Sequence, residues 1–197
     1  MKALGIVGGV VLAFIAAVAL WFVSTYNGLV GQREAVNSAW SQVQNVYQRR
    51  ADLVPNLVET VKGAANFEKG TLQAVVEARA KVGTIQVDKS VLNDKAKFQE
   101  FQQAQGQLSG ALQHLMVVVE RYPQLTATGN FRDLQVQLEG TENRIAVERR
   151  SFNEAAQAYN TAIKRMPASI VAGFGHFEER PYFEAAPEAQ KAPAVKF

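Results

Sequence analysis

One stretch near the start of the chain limits every fold open to it. Leu4 to Val23, LGIVGGVVLAFIAAVALWFV, contains no charged side chain. At about 1.5 Å per residue such a helix is roughly 30 Å long, the thickness of a hydrocarbon core. It therefore reads as a retained membrane-spanning helix. A cleaved signal peptide fits less well, because its apolar region is only about 7 to 15 residues long and ends in a small-residue cleavage site. Here Trp21, Phe22 and Tyr26 crowd the exit, as an interfacial aromatic anchor does.

Beyond the anchor the chain is patterned for helix. Between Tyr26 and Lys62 the apolar residues Leu29, Val36, Trp40, Val43, Tyr47, Val54, Leu57 and Val61 keep the spacing of one helical stripe. The pattern predicts one long helix out of the bilayer to about Glu68. Gly28 and Gly31 weaken it above the membrane and allow a hinge. Pro55 lacks a backbone donor and clashes with the carbonyl four residues back, so a kink or restart is expected near Ala51 to Val54, with Asp52 as its cap.

Gly70 and Thr71 read as a stop followed by an N-cap. They open a short helix to about Lys81 whose apolar face is Leu72, Val75, Val76 and Val82. Gly83 to Leu92 reads as a connecting loop, after which Asn93 or Asp94 starts the next helix. From Lys95 to Tyr122 the core positions are Phe98, Phe101, Gln105, Leu108, Leu112, Leu115, Val119 and Tyr122, close to the 3.5-residue period of supercoiled helices, and Pro123 ends the run. Asn130 and Asp133 resemble a capping pair. The last helix then carries Phe131, Leu134, Leu138, Thr141, Ile145, Glu148, Phe152, Ala155, Tyr159, Ala162 and Met166, closed by Pro167.

The fold class expected is all-α: an amino-terminal transmembrane helix continuing into an antiparallel, coiled-coil-like bundle of three long helices and one short one. The chain divides into an anchor (1–25), a bundle (26–167) and a carboxy-terminal tail (168–197). Up-and-down parity returns the last helix to the bilayer. In the tail, Ile170, Val171, Phe174 and Phe177 are expected to cap the open end of the bundle, in preference to touching lipid or a partner.

Composition narrows the chemistry. A net charge of +3 in 197 residues, interleaved along helices, gives no nucleic-acid footprint. The absence of cysteine removes disulfides and thiolate chemistry. His114 and His176 are far apart in sequence with no acid-rich cluster beside them, which argues against a metal site or a nucleophile–base pair. Gly63, Gly70 and Gly83 lack the strand, grouping and lysine of a phosphate-binding loop. No cofactor is expected. Gln105 and Glu148, polar at core positions, read as register-setting or edge residues.

Two groups of residues suggest contacts. Gly5, Gly9, Ala13 and Ala17 recur every four residues and form a groove for a second membrane helix, although small residues are also simply common in such helices. Arg33, Arg49, Arg50 and Lys62 form either a solvated face or a contact with anionic headgroups, Arg33 standing roughly 15 Å beyond the apolar run. Lys2 against the more distant Arg33 slightly favours an inside amino terminus and a bundle on the non-cytoplasmic side.

The run Tyr26-Asn27, Leu29-Val30, Arg33, Val36, Ala39-Trp40-Ser41-Gln42-Val43, Arg49-Arg50 and Asp52 through Gly63, with Arg165-Met166-Pro167, Gly173-Phe174, Phe177 and Tyr182-Phe183, closely resembles the LemA family of bacterial membrane proteins. Met166 stands where phenylalanine is expected, a departure that bears on packing. The resemblance covers nearly the whole chain. It implies a single-pass protein of the bacterial cytoplasmic (inner) membrane with a helical bundle and no established catalysis. It also implies an association with a membrane metalloprotease of the HtpX type or with TPM-domain proteins, and an amino terminus outside, opposite to the charge count. The function expected is a non-enzymatic, self-assembling scaffold that organises or remodels membrane or supports envelope quality control. The alternative is a monomeric regulatory adaptor of a membrane protease or other envelope protein. Membrane lipid and further copies of the chain are the partners expected, and nucleic acid is not. Besides the small-residue stripe, Arg33, Trp40, Arg49, Arg50, Asp52, Pro55 and Asn56 are the candidate interaction or assembly residues; for three of them a plainer role exists, Trp40 as core, Pro55 as kink and Asp52 as cap.

Overall fold

The computed structural model describes residues 2–64, 67–85 and 89–184. The tail beyond Glu184, with Pro187 and Pro193, lies outside the described residues. The stripe reading holds for the first element, α1 (Lys2–Lys62), a single helix of 61 residues that is about 90 Å long. Next along the chain come α2 (Lys69–Thr84), a 3-10 turn (Lys89–Asn93), α3 (Lys95–Val119), α4 (Pro123–Thr126), α5 (Gly129–Lys164) and α6 (Ala168–Phe174). No strand occurs among the described residues.

The upper half of α1 is the spine of an up-and-down bundle. Trp40 packs on Phe152 of α5 and on Phe98 and Phe101 of α3, while Arg50 meets Glu142 of α5 and Gln105 and Ser109 of α3, so α5 runs antiparallel to α1 and α3 parallel to it. Beyond α6 the chain turns at Gly175–His176 and rises again as an extended strap, residues 177–184. Side-chain amides hold the strap. Asn160 and Asn153, seven residues apart on α5, each accept from a strap N–H (Arg180 and Phe183, both 2.9 Å) and donate back to the same residue's carbonyl (2.8 and 2.9 Å). Gln102 of α3 donates to the Glu184 carbonyl. Between these clasps Phe183 inserts among Trp40, Phe98 and Phe152 at centroid distances of 6.1, 4.8 and 5.4 Å.

The expected restart at Pro55 does not occur. The ring sits on the exposed side of α1, and the Ala51 carbonyl that it deprives of a partner accepts from Arg79 Nε of α2 at 3.0 Å. Asp52 is no cap. It accepts instead from Gln48, one turn back in the same helix. Nor do Gly28 and Gly31 interrupt the helix.

Other boundaries move as well. α1 ends at Lys62, short of Glu68, and Gly70 and Thr71 lie inside the first turn of α2, behind an N-cap at Glu68. Within Gly83 to Leu92, expected as loop, Gly83 and Thr84 complete α2 and Val91 and Leu92 of the 3-10 turn are core residues; residues 86–88 lie outside the described residues. Asp94 caps α3 as expected, accepting from Ala96 N and Lys97 N. α5 begins at Gly129 behind Thr128, without the Asn130–Asp133 cap.

Along α5 the expected stripe is buried at Phe131, Leu138, Thr141, Ile145, Phe152 and Tyr159, and beyond Phe152 it advances by one residue, so that Ala156, Asn160 and Ile163 join the core. A straight helix drifts in this way against a 3.5-residue repeat. Met166, expected as the last core position, lies past the end of α5 and is exposed, so the departure from phenylalanine there does not touch the core.

The Arg79 contact makes a specific expectation. Arg79→Ala should destabilise the bundle by about 1 kcal/mol, the net worth of a typical hydrogen bond. It should cost much less in a Pro55→Ala background, where the backbone N–H at position 55 satisfies Ala51 directly. A denaturation double-mutant cycle in detergent measures that coupling, and additivity of the two substitutions would contradict it.

Candidate interaction site

The bundle core is in two parts. Near the membrane, Leu29 to Tyr47 pack with Phe98, Phe101, Ile145, Phe152 and Phe183; farther out, Leu53 to Val61 pack with Leu108, Leu112, Phe131 and Leu138. Arg50 lies between them, only 1% exposed. Its Nη1 donates to Ser109 Oγ at 2.5 Å and to Glu142 Oε1 at 2.6 Å, and its Nη2 donates to the Gln105 carbonyl at 3.2 Å and to Gln105 Oε1. The guanidinium also lies over the Tyr47 ring, 5.1 Å from its centroid. Thr141, buried one residue before Glu142, turns its hydroxyl to the Gln137 carbonyl of its own helix.

Three helices thus meet on one planar cation. Such a fork fixes register more strictly than apolar contact does, since a slip of one residue leaves a buried charge without acceptors. Glu142 is 42% exposed, so water screens its part of the pairing. The acceptors from α3, Gln105 and Ser109, are the better shielded.

A family-wide sequence profile described as LemA family matches residues 39–197, most of the chain. The chain belongs to the LemA family. It is 28% identical over 196 residues to magnetosome protein MamQ 1 of Paramagnetospirillum magneticum, covering 90% of this chain and 70% of that one. MamQ of Magnetospirillum gryphiswaldense is likewise 28% identical, over 181 residues, covering 82% of this chain and 65% of that one. Protein LemA of Metamycoplasma hominis is 25% identical over 166 residues, covering 82% and 71%. With the apolar length of α1, whose most apolar window is wholly unburied, these likenesses mark a membrane-associated helical protein.

The structure of this LemA-family chain separates the candidate residues. Trp40 is completely buried among aromatic rings. Arg50 spends both terminal nitrogens on partners within the chain, while its buried Nε makes no hydrogen bond. Arg33, half-buried, stacks over Phe177 at 5.1 Å. Arg49, Asp52, Pro55 and Asn56 share the outward side of α1 and are exposed. Along the apolar run, Gly9, Ala13 and Ala17 are open to the surroundings, but so are Ile6, Leu12, Phe14 and Leu20, so exposure does not single out the stripe. Gly5 lies in α1, its side of the helix outside the described residues.

Sequence reasoning grouped Arg50 with Arg49 and missed its role, although a signal was present. The apolar stripe twice takes a step of seven residues, from Leu29 to Val36 and from Tyr47 to Val54, and the missing intermediate positions are Arg33 and Arg50. Both turn inward. Glu148, flagged as a core polar residue, is half-buried, while the acid that meets Arg50 is Glu142.

Among the described residues no three His, Asp or Glu side chains gather to hold a metal. A groove of about 580 Å³ between α1, α2 and α3 is lined by Gln44, Tyr47, Gln48, Arg79 and Gln105 among others, with no acid or histidine in its described lining. Burial pushes the Tyr47 hydroxyl above its ordinary pKa against the pull of Arg149 and Arg50, and burial likewise raises Tyr159 and lowers Arg180. The two upward shifts favour neutral phenols at Tyr47 and Tyr159.

Replacing the central cation tests the register argument. Arg50→Ala should destabilise by roughly 3 kcal/mol, from lost packing and stranded acceptors. Arg50→Lys should recover less than half of that, because an ammonium cannot present two parallel donors to Gln105, Ser109 and Glu142. Urea unfolding followed by the fluorescence of buried Trp40, in a Trp21→Phe background, reads both; full recovery by lysine would show that charge alone suffices.

Proposed function

We propose that the chain is a non-enzymatic, single-pass scaffold of the bacterial envelope membrane, whose bundle assembles with further copies to organise or remodel the bilayer. The observation that carries this reading is the unbroken course of α1 from Lys2 to Lys62. A helix without interruption couples the position of the bundle to that of the anchor, as a device that acts by placement requires. Support comes also from what the fold leaves over. With Trp40, Arg33 and Arg50 engaged inside the chain, the outward face bearing Arg49, Asp52, Pro55 and Asn56 is where copies meet, and Gly9, Ala13 and Ala17 are where their anchors cross. The magnetosome proteins among the relatives agree with a role in membrane organisation.

Native mass spectrometry of the protein released from lipid nanodiscs, together with cross-linking through Asn56→Cys in this cysteine-free chain, tests the reading. A defined homo-oligomer joined at position 56 is expected. A monomer that carries another envelope protein, such as a membrane metalloprotease or a TPM-domain protein, would replace the scaffold with the adaptor.

A further inference from the structure

The tail residues expected to cap the bundle divide between two environments. Val171, Ala172 and Phe177 turn inward and are buried, at 0%, 4% and 9% exposure. Ile170 and Phe174 turn outward at 49% and 75%, and Met166, just before α6, is 74% exposed. Ile170 and Phe174, four residues apart, make a short row on one side of α6, and Met166, in the turn before the helix, adds a third exposed apolar side chain. Water-facing surfaces seldom carry such a row without a partner.

Its position identifies the partner. The Phe174 ring packs edge-on against Phe22, with centroids 6.3 Å apart, and Phe22 is the next-to-last residue of the uncharged run Leu4 to Val23. The row therefore begins at the depth where α1 leaves the hydrocarbon. One turn higher, Phe177 packs edge-on against Tyr26 at 5.4 Å and lies beneath the Arg33 guanidinium, which fixes the height of α6 against α1. The turn between these contacts has no spare room: a Cβ on Gly175 would stand 2.5 Å from Phe177 Cε2 and 3.0 Å from Tyr26 Cε2. Lys164 beside the row is paired with Glu179 at 2.7 Å, so its charge is met within the chain.

We propose that α6 is an interfacial foot, with Ile170 and Phe174 immersed at the headgroup–acyl boundary of the leaflet nearest the bundle. The proposal rests on the reading of Leu4 to Val23 as a spanning helix and adds a second point of membrane contact beside it. One spanning helix leaves rotation about its own axis free. A foot set off to one side fixes which face of the bundle looks along the membrane and wedges a single leaflet, an arrangement sensitive to curvature.

The absence of cysteine makes the test direct. Nitroxides are attached in turn at Ile170→Cys, Phe174→Cys, Leu20→Cys within the span and Glu59→Cys on the far exposed face, in full-length protein reconstituted into phosphatidylethanolamine–phosphatidylglycerol vesicles. Their collision rates with oxygen and with a water-soluble nickel chelate are then compared. Positions 170 and 174 are exposed, so labelling leaves the core intact. The expected result is that both favour oxygen, as position 20 does, while position 59 favours nickel. If 170 and 174 favour nickel while 20 favours oxygen, the foot is wrong and the anchor stands. Shielding of 170 and 174 from both reagents would mean a protein partner covers the row and would also overturn the proposal. If position 20 itself favours nickel, the spanning reading fails and the foot with it.

Discussion

Everything in this molecule depends on a single helix having to satisfy two solvents. The first part of α1 has no charge to offer water, and its upper part has an apolar stripe too long to leave uncovered. A helix can change surroundings without changing its backbone, because its hydrogen bonds are internal to it; this is why helices span membranes at all. The remaining elements serve as cover for the stripe: α5 returns along it, α2 and α3 close the other sides, and the strap fills the seam with Phe183.

Keeping that helix whole and in register takes compensation at two places. At Pro55 the missing donor is replaced from another element by Arg79. At Arg50 the core itself becomes polar, and a charge that would be costly alone is surrounded by Gln105, Ser109 and Glu142. Both contacts involve arginine, as donor to Ala51 in one case and as the buried cation in the other, the side chain able to donate in several directions from one rigid plane. They act at long sequence separation, so they tie α1 to α2, α3 and α5 where apolar packing alone would tolerate a slip.

Periodicity was enough to reveal the long helices, because each buries a stripe whose spacing is a local property: Val36, Trp40, Leu57, Phe98, Leu108 and Phe152 all lie where the pattern puts them. Features made by contact between distant segments were not visible. The Asn153 and Asn160 clasp has a spacing of seven, but nothing local says that an extended strap will lie against it. Pro55 was misjudged for the same reason, since its compensation comes from α2. The helix ends near Gly70 and Asn130 were misplaced because capping residues are common and the choice among them is made by packing. Of the candidate site, the stripe held the clue to Arg33 and Arg50 as its two missing steps, while Arg49, Asp52, Pro55 and Asn56 are placed on one outward face only once the bundle is formed.

If the account is right, the bundle is neither tethered nor hinged: it stands on its anchor as one rod. Pulsed dipolar spectroscopy between nitroxides at Leu20 and Glu59, both exposed, measures this in lipid. A continuous helix separates those positions by 39 residues, so one narrow distribution near about 58 Å is predicted at 1.5 Å per residue. A broad distribution, or a distance shorter by a third, would mean bending at Gly28–Gly31 or a break at Pro55, and would contradict it.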